Sequence, residues 1–521
     1  MKNTWLVLLL ILILQFTLRA PFINLPLEPG EEGLYSYFAQ RISAGAVLYR
    51  DMQDVKPPGV FYIYLMAFKT LGEKESSIRL FSIMFAMLTT IFMFLIGKQI
   101  GNKNMGLIAA LLFAVFSSGV VIDGVWGTVE GFMVLPMVIA FYCFFRGCDV
   151  INDLKSEGKR ALFSWAGFME FFLAGLFSGL AIMIKQVALF NFIALLIIAI
   201  AMNIKNKKMA IRILSNIIAG FLLMVPFLLG YFFIKGGLPG LIEFTMFNSV
   251  GMVKPKIIWF IQKTAEIMIK GNSILWLLSI IGVACILKWH RSIRYIALLV
   301  WGIFSIIGVF ILGFALPHYY LQIIPGLSLL SAVAITNLRR LNISIITGLF
   351  ISLLVMGLIC LIIMSNYGYY FIKDKDELSK LVYGDRDGVI AREIGKEIRK
   401  NTKPEDSVLT KRMYSILFYS RRGSVIKDYS MAGKLKMFIE LFNKIVASPE
   451  FVYRCDEKNI NKRTDEFNGA LNNKTTKYYI YFSNVYVPRD LKQQLERNSY
   501  QLEKEMSYPS EGVFVFKRNP G

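Results

Sequence analysis

Charged residues are scarce in this chain of 521 residues: Asp, Glu, Lys and Arg make up 18%, whereas hydrophobic residues make up 55%. A soluble globular domain is nearer a quarter charged, so the composition excludes an ordinary soluble protein and is typical of a membrane protein. The formal net charge is +22, but the basic residues are scattered between apolar runs. This distribution predicts basic cytoplasmic loops rather than a nucleic-acid-binding surface.

Cysteine is also scarce, with five residues in the whole chain. Four lie in or beside apolar runs, and only Cys455 belongs to the polar C-terminal part, which therefore cannot form an internal disulfide. No Cys-x-x-Cys or comparable metal-ligand spacing occurs. The sequence thus predicts neither a disulfide framework nor a cysteine-based metal site.

Apolar runs of a length suited to crossing a bilayer, roughly 20 residues, recur along the first two thirds of the chain. They predict about eleven spans, at 4–21, 78–97, 105–122, 129–146, 164–184, 187–203, 213–234, 273–288, 295–316, 319–337 and 343–364. No small-x-small cleavage site follows the first run, and more spans do. We therefore interpret it as a retained helix rather than a signal peptide.

Lysine and arginine are concentrated in alternate short connections, whereas 117–128 and 317–318 carry none. By the positive-inside rule, this alternation places the basic connections and the N-terminus in the cytoplasm. Segment 22–77, the loop 235–272 and everything after residue 364 are then outside. We expect a multi-pass protein of the cell (plasma) membrane with an extracytoplasmic C-terminus.

The first outer loop has helical periodicity. Leu34, Phe38 and Ile42 recur at i, i+4 and i+8 and predict an amphipathic helix at the interface. Gly59–Leu71 follows two prolines and predicts a second helix. The two would lie across the outer end of the bundle, and a plain amphipathic anchor is the simpler alternative.

The composition becomes polar after residue 364. Helix-like and strand-like stretches alternate there, at 388–400, 406–409, 478–482, 489–498 and 513–516. We therefore predict an all-α polytopic membrane domain over 1–364 and a small extracytoplasmic α/β domain over 365–521, which has the usual size of an independent unit.

Polar groups on the predicted outer side are few: Glu31, Glu32, Arg50, Asp51, Asp54, Lys56, Arg79, Asp123, Glu130, Lys185, His318, Tyr319 and Tyr320. Lys185 interrupts an apolar run, where a cation needs a partner or an anionic ligand unless it merely snorkels to the interface. The acids at predicted helix starts also complement the helix dipole, which alone would account for Glu130 and for the adjacent pair.

Several short motifs follow one another in a recognisable order. They are Glu31-Glu32-Gly-Leu-Tyr-Ser-Tyr, Tyr49-Arg50-Asp51, Asp54-Val-Lys56-Pro-Pro-Gly59, Arg79, Glu130, Gly175 to Lys185, and Pro317-His318-Tyr319. Together they resemble the GT-C membrane glycosyltransferases, in particular the protein-mannosyltransferase-like and aminoarabinose-transferase-like (ArnT-like) branch. The resemblance covers roughly residues 5–335, and the C-terminal part is similar only in position and size.

This resemblance implies transfer of a sugar, hexosyl or pentosyl, from a polyprenyl-phosphate carrier to a glycan, lipid or protein acceptor on the outer membrane face. In that family an essential acid, usually Asp and often followed by Glu, stands in the first loop. Glu31 occupies its place and Glu32 the next. Consecutive helical residues point about 100° apart, so we expect one carboxylate to face the substrate. Motif position favours Glu31, with Glu32 as the second candidate.

The residue types suit this chemistry. A positioned carboxylate can take the proton of an acceptor hydroxyl or amine, and fixed cations stabilise the departing lipid phosphate; direct displacement would invert the sugar. We expect Lys56 and Lys185 to bind the phosphate. The supporting candidates are Arg50, Arg79 and His318 for the phosphate, and Asp51, Asp54, Glu130 and Tyr319 as acidic or polar groups.

The sequence requires no cofactor and defines no metal site, although Asp51, Asp54 and the glutamates have oxygen ligands for a divalent ion. A transporter or flippase of lipid-linked substrates is the main alternative, but it should place polar or broken segments at the bilayer midplane. An oligosaccharide polymerase or ligase would use a long late outer loop, whereas the long loop here is the first. A sensor would leave Lys185 unexplained.

Overall fold

The structure is a computed structural model. It describes residues 2–156, 165–247, 257–290, 292–311, 315–337, 375–383, 387–410, 413–424, 476–483, 500–507 and 512–518, with a few single residues between 357 and 374.

The first two thirds of the described chain are helical. The α-helices are α1 (Lys2–Arg19), α2 (Glu31–Ser43), α3 (Gly59–Leu71), α4 (Glu75–Ile100), α5 (Lys103–Phe116), α6 (Val129–Ser156), α7 (Trp165–Ile184), α8 (Ala188–Met202), α9 (Lys207–Ile234), α10 (Leu238–Ile242), α11 (Ile257–Trp289), α12 (Ile293–Phe310) and α13 (Ile324–Thr336). Short 3₁₀ turns at Val120–Ile122 and Pro317–Gln322 carry residues of the site described below.

Seven of the described helices are long and apolar enough to cross a membrane: α1, α4, α6, α7, α9, α12 and the second half of α11. Three other predicted spans are shorter apolar helices, α5, α8 and α13. Each predicted span before residue 338 thus corresponds to a described helix, whereas 343–364 lies almost wholly outside the described residues. The prediction of a polytopic helical membrane protein is confirmed.

The predicted outer loop 235–272 is partly helical. It contains α10, a π-helical turn at Glu243–Phe247 and the first half of α11, which kinks at Asn272. The helix continues through this region because residues 257–270 contain neither glycine nor proline. Lys263 and Glu266, which interrupt the apolar sequence here, pair with each other on the helix surface at 2.8 Å.

The two helices predicted in the first loop are present as α2 and α3, and they are packed into the protein rather than lying free at its surface. Tyr35 and Phe38 of α2 lie against Phe61 of α3, with ring centroids 5.4 and 5.2 Å apart. All three side chains are buried. Because α2 is held on this aromatic layer, its first turn, which carries Glu31, has a fixed position.

The C-terminal third contains both helices and strands. The helices are α14 (Lys375–Tyr383), α15 (Asp387–Asn401) and α16 (Ser415–Ser420); the strands are β1 (Ser407–Thr410), β2 (Thr476–Ser483), β3 (Tyr500–Ser507) and β4 (Gly512–Arg518). They form one sheet of order β1-β2-β4-β3, with β1 parallel to β2 and the other pairs antiparallel. Strand β3 was not predicted because its sequence is mostly polar, and the predicted helix 489–498 lies outside the described residues.

Candidate active site

Glu31 lies in the first turn of α2 and faces a group of cations. Its Oε1 accepts a hydrogen bond from Lys56 Nζ at 3.2 Å, and its Oε2 lies 4.0 Å from His318 Nε2. The Glu31 side chain is 42% exposed, whereas that of Lys56 is 13% exposed. An accessible carboxylate thus meets a nearly buried ammonium group.

The loop before α3 fixes Lys56 by backbone contacts. Asp54 Oδ1 accepts the Lys56 backbone N–H at 2.8 Å, and the Tyr49 hydroxyl donates to the Lys56 carbonyl at 2.6 Å. At Gly59 a Cβ would lie 2.6 Å from the Met183 carbonyl oxygen. Only glycine permits this approach of α3 to the end of α7, which brings the Lys56 loop beside Lys185.

Lys185 follows α7 directly and is buried. It forms an ion pair with Glu130 from the first turn of α6, and its Nζ lies 3.7 Å from the centre of the Tyr319 ring. Gln186 ties the same segment to the first loop by donating to the Val55 carbonyl at 2.9 Å. The carboxylate and the ring compensate the desolvation of the ammonium group.

His318 is held by Asp123. The Nδ1 atom of His318 lies 2.9 Å from Asp123 Oδ2, and both side chains are buried. Asp123 has a left-handed backbone conformation, with φ of 54°, which Asp tolerates better than most residues. The Nε2 atom of His318 has no hydrogen-bond partner among the described residues.

The charges of this cluster shift its titrations. Desolvation would raise the pKa of the Glu31 carboxyl, but the charges of Lys56, His318 and Lys185 outweigh it and lower this pKa to about 2. Desolvation likewise disfavours the Lys56 ammonium, but the charge of Glu31 outweighs it and raises the pKa of Lys56. Both groups are therefore charged at neutral pH.

Glu32 occupies a different environment from Glu31. It is 2% exposed and forms a buried ion pair with Arg79 of α4. Its Oε1 also accepts the Gly127 N–H at 2.6 Å, and Arg79 in turn donates to the Tyr383 hydroxyl at 2.7 Å. Glu32 and Arg79 therefore link α2, α4 and α14, and their charges neutralise each other.

Arg50 and Asp51 pair with each other away from this cluster. Their side chains meet at 2.8 Å and are 49% and 36% exposed, and Arg50 also donates to the Lys235 carbonyl. Asp51 Oδ2 accepts the Val47 N–H and so closes the turn. Among the described residues, no three or more His, Cys, Asp or Glu side chains come together as metal ligands would.

An apolar groove of about 620 Å³ is lined by Pro58 and Gly59, which follow Lys56 closely in the chain, and by Ile184, which precedes Lys185. It runs between α3, α6, α7 and α9. Its other walls are apolar and aromatic side chains, among them Phe177, Met224 and Tyr231. The groove thus has the lining that a hydrocarbon chain requires, and its lining residues lie next in the chain to the segments that carry Lys56 and Lys185.

The structure brings Glu31, Lys56, Lys185, Glu130, His318 and Tyr319 together, with Asp54 behind Lys56. It does not bring Arg50, Asp51 or Arg79 into direct contact with Glu31. Sequence reasoning assigned no role to Asp123 or Tyr383. Asp123 is among the polar residues predicted on the outer side, but only its contact with His318 gives it a role. No sequence pattern around Tyr383 indicates a contact with the site.

Comparisons with known proteins agree with this architecture. Residues 55–229 match the family described as dolichyl-phosphate-mannose-protein mannosyltransferase. A search of curated proteins finds no significant match.

Solved structures share the fold over nearly the whole chain. ArnT from Cupriavidus metallidurans bound to undecaprenyl phosphate matches with a TM-score of 0.61 and 12% identity, covering 99% of this chain and 98% of that one. The oligosaccharyltransferase AglB from Archaeoglobus fulgidus, in complex with an inhibitory peptide and a dolichol-phosphate, matches with a TM-score of 0.55 and 12% identity, covering 98% and 74%. The resemblance drawn from the sequence is thereby confirmed: the chain has the fold of the GT-C membrane glycosyltransferases, of the protein-mannosyltransferase-like and ArnT-like type.

Proposed function

We propose that the chain transfers a sugar, with inversion, from a polyprenyl-phosphate carrier to a hydroxyl or amine of an acceptor on the outer face of the membrane, with Glu31 as the general base. The observation that carries this proposal is the contact of Glu31 with Lys56 and its approach to His318, in a cluster whose Lys56 and Lys185 segments continue into residues that line the apolar groove. The acceptor belongs to a glycan, a lipid or a protein.

The groove supports a lipid-linked donor. Its walls are almost entirely apolar, as a polyprenyl chain requires. Pro58 lines the groove two residues after Lys56, so we infer that a chain lying in the groove presents its phosphate to that ammonium group. The solved ArnT and AglB complexes contain undecaprenyl phosphate and dolichol-phosphate respectively, which favours the same class of carrier here.

Lys56 is the cation best placed for the phosphate. Its only described side-chain ion pair is with the accessible Glu31, whereas Lys185 is already paired with the buried Glu130. Lys185 then acts on the phosphate indirectly. It adds positive charge to the site, and its ammonium group holds the Tyr319 ring. Fixed cations at a developing phosphate charge commonly lower the barrier by about 3 kcal/mol each.

Donor binding would also activate Glu31. With its pKa lowered to about 2 by Lys56, His318 and Lys185, the free carboxylate is a poor base. When the donor phosphate pairs with Lys56 in place of Glu31, it adds negative charge beside Glu31. This charge raises the pKa of the Glu31 carboxyl towards its usual range. The base becomes effective only when the sugar donor is present, which limits abortive reactions.

The test uses purified protein in lipid nanodiscs and a panel of radiolabelled undecaprenyl-phosphate hexoses and pentoses with membrane glycans, lipids and peptides as acceptors. We expect Glu31→Gln to bind donor but to lose transfer by about 10²-fold or more, because the base is gone. We expect Lys56→Met to weaken donor binding. Lys263→Met is the matched control, since Lys263 is an exposed lysine of α11 whose side chain pairs with Glu266 rather than with Glu31.

Two outcomes would contradict this proposal. Undiminished transfer by Glu31→Gln would remove the carboxylate from the base role. Donor binding and translocation across the bilayer without any transfer would favour the transporter or flippase alternative.

A further inference from the structure

A gap separates Glu31 from His318 at the open side of the cluster. Glu31 Oε2 and His318 Nε2 are 4.0 Å apart, too far for a hydrogen bond with each other. A hydroxyl oxygen or amine nitrogen that enters as the partly exposed Glu31 side chain moves aside can lie at about 2.8 Å from both atoms, because twice that hydrogen-bond length exceeds the gap. His318 Nε2 is buried and has no other partner in the described part of the chain.

The contact with Asp123 determines which nitrogen of neutral His318 carries the proton. An ionised carboxylate can only accept, so at 2.9 Å from Asp123 the Nδ1 atom must donate. In the neutral ring Nε2 then bears a lone pair, and this lone pair lies on the Glu31 side. The left-handed turn at Asp123 holds the carboxylate in that place.

We propose that the nucleophilic hydroxyl or amine of the acceptor binds between Glu31 and His318, and that the Asp123–His318 pair receives the proton it loses. This inference rests on the proposed function, because it assumes transfer to such a group. It adds an acceptor subsite, a second proton-accepting residue (His318) and a positioning residue (Asp123).

A lone pair of the acceptor oxygen or nitrogen forms the bond to the anomeric carbon, while the bond from that carbon to the phosphate oxygen breaks and its electrons remain on the phosphate. The acceptor proton passes to the Glu31 carboxylate and then to His318 Nε2. The resulting imidazolium lies between the carboxylates of Glu31 and Asp123, and Asp123 remains ionised.

The groups around His318 set the sense of the pH dependence. Desolvation lowers its pKa, but the carboxylates of Glu130, Asp123 and Glu31 outweigh this and raise it above the usual value. Lys56 and Lys185 are the cations of the same cluster. Since neutral His318 is the competent form, transfer should rise with pH as the ring loses its proton. Removing the Asp123 charge should move this rise to lower pH.

The chain contains two histidines, which makes a direct test feasible. Histidine labelled with ¹³C and ¹⁵N gives two ring signals in nanodiscs, and His290→Gln identifies which one is His318. We expect neutral His318 to carry its proton on Nδ1 and to lose its second proton at lower pH in Asp123→Asn. A neutral ring protonated on Nε2, or a titration unchanged by Asp123→Asn, would overturn the inference without any assay of transfer.

Transfer kinetics provide the second readout. We expect kcat to fall by about 10²-fold in His318→Gln and about 10-fold in Asp123→Asn, with binding of undecaprenyl phosphate unchanged. Asp123→Asn keeps the shape of the side chain, so it still tests the inference if His318→Gln fails to fold. His290→Gln should match the wild type, since His290 contacts Asn337 at the far end of α11.

The outcomes separate the two proposals. Transfer by the wild type, together with unchanged kcat and pH profile in both variants, overturns the acceptor subsite alone. Absence of transfer by the wild type with every donor and acceptor overturns the proposed function and this inference with it. Loss of undecaprenyl-phosphate binding in Asp123→Asn would assign the pair to the donor instead and also overturn the inference.

Discussion

Glu31 and Glu32 are neighbours in the chain, but their carboxylates lie in opposite environments. Glu31 is 42% exposed, and its carboxylate forms an ion pair with Lys56 and lies 4.0 Å from His318 Nε2. Glu32 is almost fully buried and is bound by Arg79 and the Gly127 backbone. The difference arises from the helix, which turns consecutive side chains about 100° apart. One of the two acids is available for chemistry and the other holds helices together.

The residue-scale prediction contrasts the two substitutions to Gln. Glu32→Gln leaves the buried Arg79 guanidinium without its counter-charge, and breaking a buried pair in this way costs about 3–5 kcal/mol. Glu31→Gln removes a partly exposed pair, worth about 1 kcal/mol or less. We expect a clearly lower unfolding temperature for Glu32→Gln only. A thiol-reactive fluorophore measures it as the additional labelling on heating, because Cys143, Cys148 and Cys285 are buried in the folded protein whereas the exposed Cys360 is labelled from the start.

An equal and small loss of stability in both variants would contradict this division of roles. A loss of transfer without loss of stability in Glu32→Gln would instead reassign the base.

Helices α7 and α9 form one wall of the groove, and glycines set their separation. A Cβ at Gly175 of α7 would collide with the Ile217 carbonyl of α9, and a Cβ at Gly220 of α9 would collide with the Phe172 carbonyl of α7. Small residues at such crossings let membrane helices pack backbone to backbone. Met224, one turn beyond this contact, lines the groove.

The element-scale prediction uses two glycines of α9. Gly220→Ala should destabilise the protein by about 1–3 kcal/mol, because the added methyl group forces α7 and α9 apart. It should also weaken binding of undecaprenyl phosphate, since the groove wall moves. Gly230→Ala is the matched control: nothing lies within 4 Å of its added Cβ, so it should be neutral or slightly stabilising. Thermal unfolding and lipid binding measure both effects, and equal behaviour of the two variants would contradict the packing argument.

At the scale of the whole molecule, the C-terminal third supports the start of α2. The Tyr383 hydroxyl donates to the Pro26 carbonyl at 2.6 Å, and the Tyr419 hydroxyl accepts the Leu27 N–H at 3.0 Å. Phe418 stacks on Phe68 of α3, with ring centroids 5.5 Å apart. The segment that leads into Glu31 is therefore held between the helical bundle and the C-terminal helices.

The prediction at this scale concerns Tyr383→Phe and Tyr419→Phe. Each substitution removes a buried hydrogen-bonding hydroxyl, at about 1–3 kcal/mol for the partner left unsatisfied. Residues 26–32 should then exchange amide hydrogen faster, and transfer should fall several-fold. Tyr320→Phe is the control for hydrogen exchange, because its hydroxyl donates to Thr264 of α11 rather than to residues 26–32. Hydrogen exchange read by mass spectrometry measures the effect, and unchanged exchange at 26–32 would mean that the C-terminal third does not support the site.

Local sequence pattern determined much of this protein. Apolar run length located the helices of the bundle, and the i, i+4 spacing of Leu34, Phe38 and Ile42 located α2, because these signals depend only on neighbours along the chain. Motif order also indicated the GT-C resemblance and the acids and cations of the site. The mostly polar β3 lacked such a signal and was not predicted.

Only the tertiary structure decided which charges meet. Glu31 and Glu32 have the same side chain and adjacent positions, so no local rule separates them; their partners Lys56, Arg79 and His318 come from distant segments. The same holds for Asp123, which gains a role only from His318, and for Tyr383, which reaches Arg79 from more than 300 positions away. Helices follow from local periodicity, whereas a site follows from long-range packing that brings their ends together.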